Sequence, residues 1–262
     1  MTDFVFIDSG VGGIPYMTSL LQKAPDASCV YVADNANFPY GEKTHDEVVN
    51  CVVSVVQKIC NKFEPRVIVL ACNTISVNAL ETVRQKFSQV TFVGTVPAIK
   101  LAASVSKKKR IGLLATSSTC ENPYNIELKN KFASDCELVM RADAKLISFI
   151  EENGFTATQT ELENAVRPAI EFFAEQNCDV IVLGCTHFLN IKDVFEKVAL
   201  PHFIKIVDSV DGVVRHTLDV GGVLGAEHLK TRAQASLYIT GETNSSYKTI
   251  CERYKINFGG KI

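Results

Sequence analysis

The chain has 262 residues, 47% of them hydrophobic and 21% charged, with a net charge of −2. That length suits two modest domains or one large one, and the near-neutral balance gives no global field for nucleic acid. No apolar run reaches the ~18–20 residues that span a bilayer, and the first eight residues lack the basic region and long apolar run of a signal peptide, so no membrane partner is expected.

Apolar runs rich in branched residues alternate along the chain with segments of helical period. A strand over residues 4–7 leads into the glycine-rich phrase Asp8-Ser9-Gly10-Val11-Gly12-Gly13. A second, 29–32, leads into Asp34-Asn35-Ala36-Asn37-Phe38-Pro39-Tyr40-Gly41. Helical period follows over 44–63, then a strand at 67–71 and a helix at 77–87. The strand 91–94 and helix 97–106 come next. Then come the strand 111–115, the helix 122–132, the strand 136–139, the helix 162–176, and strands at 180–184 and 203–207. A last strand, 235–239, ends at Thr240-Gly241. The alternation predicts an α/β fold with a mainly parallel sheet flanked by helices in each half. A new β-α series begins just after Val96-Pro97, and the segment after residue 208 is too short for a third domain. The expected domains are therefore 1–97 plus 209–262, and 98–208. The basic run Lys107-Lys108-Lys109-Arg110 reads as a solvated turn before a buried strand.

Two copies of one phrase carry the chemistry. Arg66-Val-Ile-Val-Leu-Ala-Cys72-Asn73-Thr74 and Asp179-Val-Ile-Val-Leu-Gly-Cys185-Thr186-His187 are 185 − 72 = 113 residues apart. Each is a buried-strand pattern, a small residue, a cysteine and a polar helix start. The cysteines thus fall at the carboxyl ends of strands, where open α/β sheets place ligands. A helix start favours thiolate over thiol. An unperturbed thiol with a pKa of about 8.5 then needs only modest help to act as a base near neutral pH. Two thiols, one per half, suit proton exchange on opposite faces of a carbon centre.

Other features are less specific. The glycine-rich turn can hold a small anion such as a carboxylate, or can be a tight turn capped by Asp8; it has neither the Walker pattern nor the dinucleotide fingerprint. The Pro39-Tyr40-Gly41 loop is stiff. Nine cysteines without a C-x-x-C pair read as reduced thiols of a cytoplasmic protein, with Cys51 and Cys60 as small core residues. Cys185 and His187 do not have the spacing of a zinc module, and no lysine has a recognisable Schiff-base context.

The combination of Asp8-Ser9-Gly10-Val11-Gly12-Gly13, Pro39-Tyr40-Gly41, Ala71-Cys72-Asn73-Thr74, Thr116-Ser-Ser-Thr119 and Gly184-Cys185-Thr186-His187 resembles the cofactor-independent glutamate racemases of the aspartate/glutamate racemase superfamily. The phrases occur in that family's order and cover most of the chain. The resemblance implies two pseudo-symmetric α/β domains with the active site in the cleft between them. It implies interconversion of L- and D-glutamate with no cofactor and no metal, supplying D-glutamate for peptidoglycan. Cys72 and Cys185 would be the two bases, Asp8 would assist Cys72, and His187 would assist Cys185. Glu151 or Glu152 would be the acid near the second thiol, with Glu151 preferred for register. Ser9, Pro39, Tyr40, Gly41, Asn73, Thr74, Thr116, Thr119 and Thr186 would contact substrate, and the family leaves room for a homodimer. The chain departs from the family with Ala33 for glycine, Asn37 for arginine, Leu189 for proline and Val210 for glycine. Rival readings are an aspartate or hydantoin racemase of the same superfamily, and a non-catalytic binding or redox protein.

Overall fold

Branched and aromatic residues fit a pleated, buried surface. In the computed structural model, which describes residues 2–222 and 235–262, such runs build two sheets. The strands are β1 (Thr2–Asp8), β2 (Cys29–Ala33), β3 (Pro65–Leu70), β4 (Thr91–Gly94), β5 (Arg110–Ala115), β6 (Glu137–Ala142), β7 (Val180–Leu183), β8 (Lys205–Val207), β9 (Ser236–Ile239) and β10 (Asn257–Lys261). The helices are α1 (Ile14–Lys23), α2 (His45–Phe63), α3 (Asn73–Lys86), α4 (Ile99–Val105), α5 (Ser117–Glu121), α6 (Tyr124–Phe132), α7 (Ala144–Asn153), α8 (Gln159–Glu175), α9 (Lys192–Ala199), α10 (Val210–Val220) and α11 (Ser246–Tyr254). The chain divides into two compact units, Met1–Thr95 with Val210–Ile262, and Val96–Ser209.

The first unit holds a six-stranded sheet in the order β10-β9-β2-β1-β3-β4, every pair parallel. Side chains alternate between its faces. Val5, Ile7, Val30, Val32, Ile68 and Leu70 pack with Val48, Val52, Val56 and Ile59 of α2 and Ile75, Ala79 and Val83 of α3. Thr44 opens α2 with a capping box, its hydroxyl accepting from the Glu47 amide while the Glu47 carboxylate accepts from the Thr44 amide. The end of the chain returns to this sheet, where β9 pairs with β2.

The second unit holds a four-stranded sheet, β6-β5-β7-β8, again all parallel. Ile111, Leu113, Val180 and Val182 pack with Ile99, Ala102 and Ala103 of α4. The basic run is a turn into β5. Asp179 accepts from the Ser106 hydroxyl at 2.6 Å and from the Lys107 and Lys108 amides at 2.6 and 2.8 Å. Lys107, Lys108 and Lys109 stay exposed.

Several features differ from expectation: the helix expected over 77–87 begins at Asn73, and α7, α9, α10 and α11 add to the expected helices. The strand expected over 203–207 begins at Lys205, because Phe203 closes a 3-10 turn in the left-handed region at φ 56°. The strand β10 is an addition to the expected set. Among the described residues no helix is long and apolar enough to cross a membrane.

Candidate active site

In the first unit the central strands deliver their last residues to one edge. Asp8 ends β1, the parallel register sets Ile7 opposite Leu70, and the Ala71 amide donates to the Ile7 carbonyl at 2.8 Å, one residue before Cys72. Cys72 is the N-cap of α3 with extended backbone, φ −145° and ψ 125°, and is buried, as are Asn73 and Thr74 in the first helical turn. The Ser76 hydroxyl lies between the carbonyls of Leu70 (3.1 Å) and Cys72 (2.9 Å) and accepts from the Thr95 amide (2.9 Å), fixing the turn that holds the thiol.

Asp8 is fully buried. Its Oδ1 accepts from the Ser9 amide at 2.6 Å, and Tyr31 lies on its other oxygen at 3.4 Å. The Tyr31 hydroxyl donates to the Gly10 carbonyl (2.9 Å) and accepts from the Gly13 amide (2.9 Å). Two amides of the glycine-rich turn are thus used by the fold itself. Gly13 is needed for close approach: a Cβ there would stand 2.5 Å from the Ala71 carbonyl oxygen.

The loop with Pro39, Tyr40 and Gly41 is anchored by Asp34, a fully buried carboxylate that sequence reasoning passed over. Asp34 accepts from the Tyr40 and Thr240 hydroxyls and from Asn37 Nδ2 at 2.9 and 3.1 Å. Burial first, and then the Asp34 charge and hydrogen bond, push the Tyr40 hydroxyl far up, so it stays a neutral donor. Tyr40 and Cys72 belong to one packed cluster. The signal for Asp34 was present, since β2 runs into an aspartate just as β1 ends in one.

The second unit repeats the placement. Here β7, the neighbour of the inner strand β5, runs through Gly184 to Cys185, the buried N-cap of a 3-10 helix, Thr186–Ile191. Cys185 Sγ lies 3.6 Å from His187 Nδ1, and His187 Nε2 lies 2.7 Å from Glu151 Oε2. Glu151, and not the exposed Glu152, reaches the imidazole from α7. Burial is the largest influence on His187 and acts to lower its pKa. The hydrogen bonds to Cys185 and Glu151, with their charges, outweigh it and hold His187 well above the usual imidazole value. The imidazolium then donates to the carboxylate on one side and faces the sulfur on the other.

After β5, Thr116 caps α5. Its Oγ1 accepts from the Thr119 amide at 3.1 Å and donates to the Thr119 hydroxyl at 3.0 Å. Thr186 is buried beside Cys185. Among the described residues no two cysteines are joined in a disulfide. Among the described residues no group of three or more His, Cys, Asp and Glu is placed to hold a metal ion.

Each unit thus presents one buried thiol at a strand end, and in the second His187 and Glu151 stand beside it. A model of the Asp/Glu/hydantoin racemase family matches residues 14–217. A glutamate racemase of Treponema pallidum (strain Nichols) is 40% identical over 256 residues, covering 98% of this chain and 93% of its own length. One from Proteus mirabilis is 38% identical over 80% of this chain and 73% of its own length. The crystal structure of Escherichia coli glutamate racemase, in complex with L-glutamate and the activator UDP-MurNAc-Ala, matches with a TM-score of 0.84 at 30% identity, covering 100% of this chain and 97% of that one. The placement of the two thiols and the match over nearly the whole length agree, and the chain belongs to the Asp/Glu/hydantoin racemase family.

Proposed function

We propose that the protein is a glutamate racemase that exchanges the α-proton of L- and D-glutamate between two cysteines. The observation that carries this reading is the Cys185–His187–Glu151 chain, a thiol paired with an imidazole whose pKa is raised. The thiolate of Cys185 takes the α-proton from one enantiomer, and the Cys72 thiol gives a proton to the opposite face. From the other enantiomer the roles exchange, with Cys72 as thiolate and Cys185 as thiol; Asp8 accepts the hydrogen bond of the Cys72 thiol and helps to deprotonate it. The difficult species is the carbanion, and donors such as Ser9, Asn73, Thr74, Thr116, Thr119 and Thr186 stabilise the charge that spreads onto the carboxylate. Asn73 Oδ1 is buried without a protein partner and suits the substrate ammonium, while Pro39, Tyr40 and Gly41 shape the loop over Cys72.

The relatives from Treponema, Proteus and Escherichia are each named glutamate racemases, which favours glutamate over aspartate. The product would supply D-glutamate to cell-wall peptidoglycan in the cytoplasm, and the working unit would be a single chain or a homodimer. The test is circular dichroism of pure L-glutamate, and of L-aspartate, with the purified protein and no added cofactor. Decay of the glutamate signal to zero is expected. A flat glutamate signal beside a decaying aspartate signal would overturn the substrate, and flat signals for both would overturn the activity.

A further inference from the structure

Among the described residues, two buried side-chain polar atoms have no protein hydrogen-bond partner, Asn73 Oδ1 and Asn125 Oδ1. The first adjoins Cys72. The second belongs to a residue with no role so far. Asn125 lies in the first turn of α6 and is completely buried. Its Nδ2 donates to the carbonyl of Thr119, inside the short helix α5.

That helix has five residues, too few to hold its shape alone in water. Its front is tied by Thr116, whose hydroxyl accepts from the Thr119 amide. Its back is tied by the Asn122 amide, at a long 3.3 Å, and by Asn125 Nδ2, both on the Thr119 carbonyl. Thr119 is therefore gripped from both sides. Its Oγ1 accepts the Thr116 hydroxyl proton, which leaves the Thr119 proton to be donated elsewhere.

An asparagine is a poor choice for packing alone at position 125. A leucine has the same branched outline with larger arms and buries no unpaired oxygen, and an unpaired buried acceptor is a net cost to the fold. What asparagine supplies and leucine lacks is the N–H that reaches Thr119. We infer that Asn125 is a positioning residue for substrate binding: its amide holds the Thr119 carbonyl and so fixes α5 with the Thr116 and Thr119 hydroxyls set to meet a carboxylate of the substrate. This rests on the glutamate reading and on Thr119 as a substrate contact.

Asn125→Leu, Thr119→Val and the double variant are compared with the parent by racemisation kinetics on L-glutamate and by thermal unfolding without substrate. Asn125→Leu is expected to keep or raise Tm, to keep kcat within about twofold, and to raise KM about tenfold, the scale of one well-placed hydrogen bond. It should raise KM far less in the Thr119→Val background, because both changes remove one unit of contact. Asn125→Ala, which cannot overpack, should show the same KM effect if the leucine variant folds poorly. A KM within about twofold of the parent for a folded Asn125 variant, or fully multiplicative effects in the double variant, would overturn the inference. If Thr119→Val alone leaves KM unchanged, the assignment of Thr119 as a contact fails and the inference falls with it. A parent protein that does not racemise glutamate refutes the functional reading itself, a result distinct from a racemising Asn125 variant with normal KM.

Discussion

Cys185, the proposed base of the second unit, has a buried imidazole beside it. Burial would drive His187 neutral, yet Cys185 on one nitrogen and Glu151 on the other hold the imidazolium. A histidine whose pKa is raised on folding stabilises the fold fully below its unfolded pKa of about 6.5 and loses that contribution as pH rises through the folded value. The urea midpoint of the parent should therefore exceed that of His187→Asn most near about pH 6, and the gap should narrow in alkali. An advantage that widens with rising pH would contradict the charged pair. For the thiols themselves, Cys72→Ser and Cys185→Ser should each lower racemisation by about 10²–10⁴-fold, the usual worth of one acid/base group. Either variant retaining near-parental turnover by circular dichroism would remove that cysteine from the mechanism.

At the scale of elements, the β1–α1 turn is pressed against the segment that carries Cys72. A methyl group on Gly13 would lie 2.5 Å from the Ala71 carbonyl oxygen and 2.7 Å from the Ala71 Cβ. Both are parts of a strand end that cannot swing aside. Gly13→Ala should cost about 1–3 kcal/mol in urea unfolding and lower kcat by displacing the thiol. Gly212 in α10 has no heavy atom within 4 Å of a would-be Cβ, so Gly212→Ala should add about 0.5–1 kcal/mol and leave kcat alone. Equal stability of the two alanine variants would show that the close contact carries no strain. The strands were legible from sequence where branched residues run together, as in Val67, Ile68, Val69 and Leu70 or Val180, Ile181, Val182 and Leu183. The strand β10, Asn-Phe-Gly-Gly-Lys, has no such pattern and takes its shape from pairing with β9. The helix α5 is too short to show a period. Helical geometry also sorts the adjacent acids of α7, because Glu151 lies four residues after the buried Ile147 while Glu152 turns to solvent.

For the molecule as a whole, the doubled cysteine phrase was the most legible feature, since it joins a local strand pattern to a reactive residue. In both sheets that cysteine follows the neighbour of an inner strand, β3 beside β1 and β7 beside β5. The Asp34 network was not legible, because its Thr240 hydroxyl comes from 206 residues away and no local pattern reports such a meeting. Two thiols, one in each compact unit, also lead to an isotopic expectation. If one cysteine removes the α-proton and a different one delivers its replacement, the proton taken is not the proton given. In heavy water, product formed early from L-glutamate should carry deuterium at the α-carbon in essentially every molecule, while unreacted substrate keeps its hydrogen. A single base serving both faces would instead return part of the original hydrogen to the product. Starting from either enantiomer, the mixture must still end at a ratio of one, because a catalyst changes the rate and not the equilibrium. Mass spectrometry of the separated enantiomers during the first few per cent of turnover reads both quantities. A product pool that retains substrate hydrogen would reduce the mechanism to one base and leave the second cysteine without a part in proton transfer.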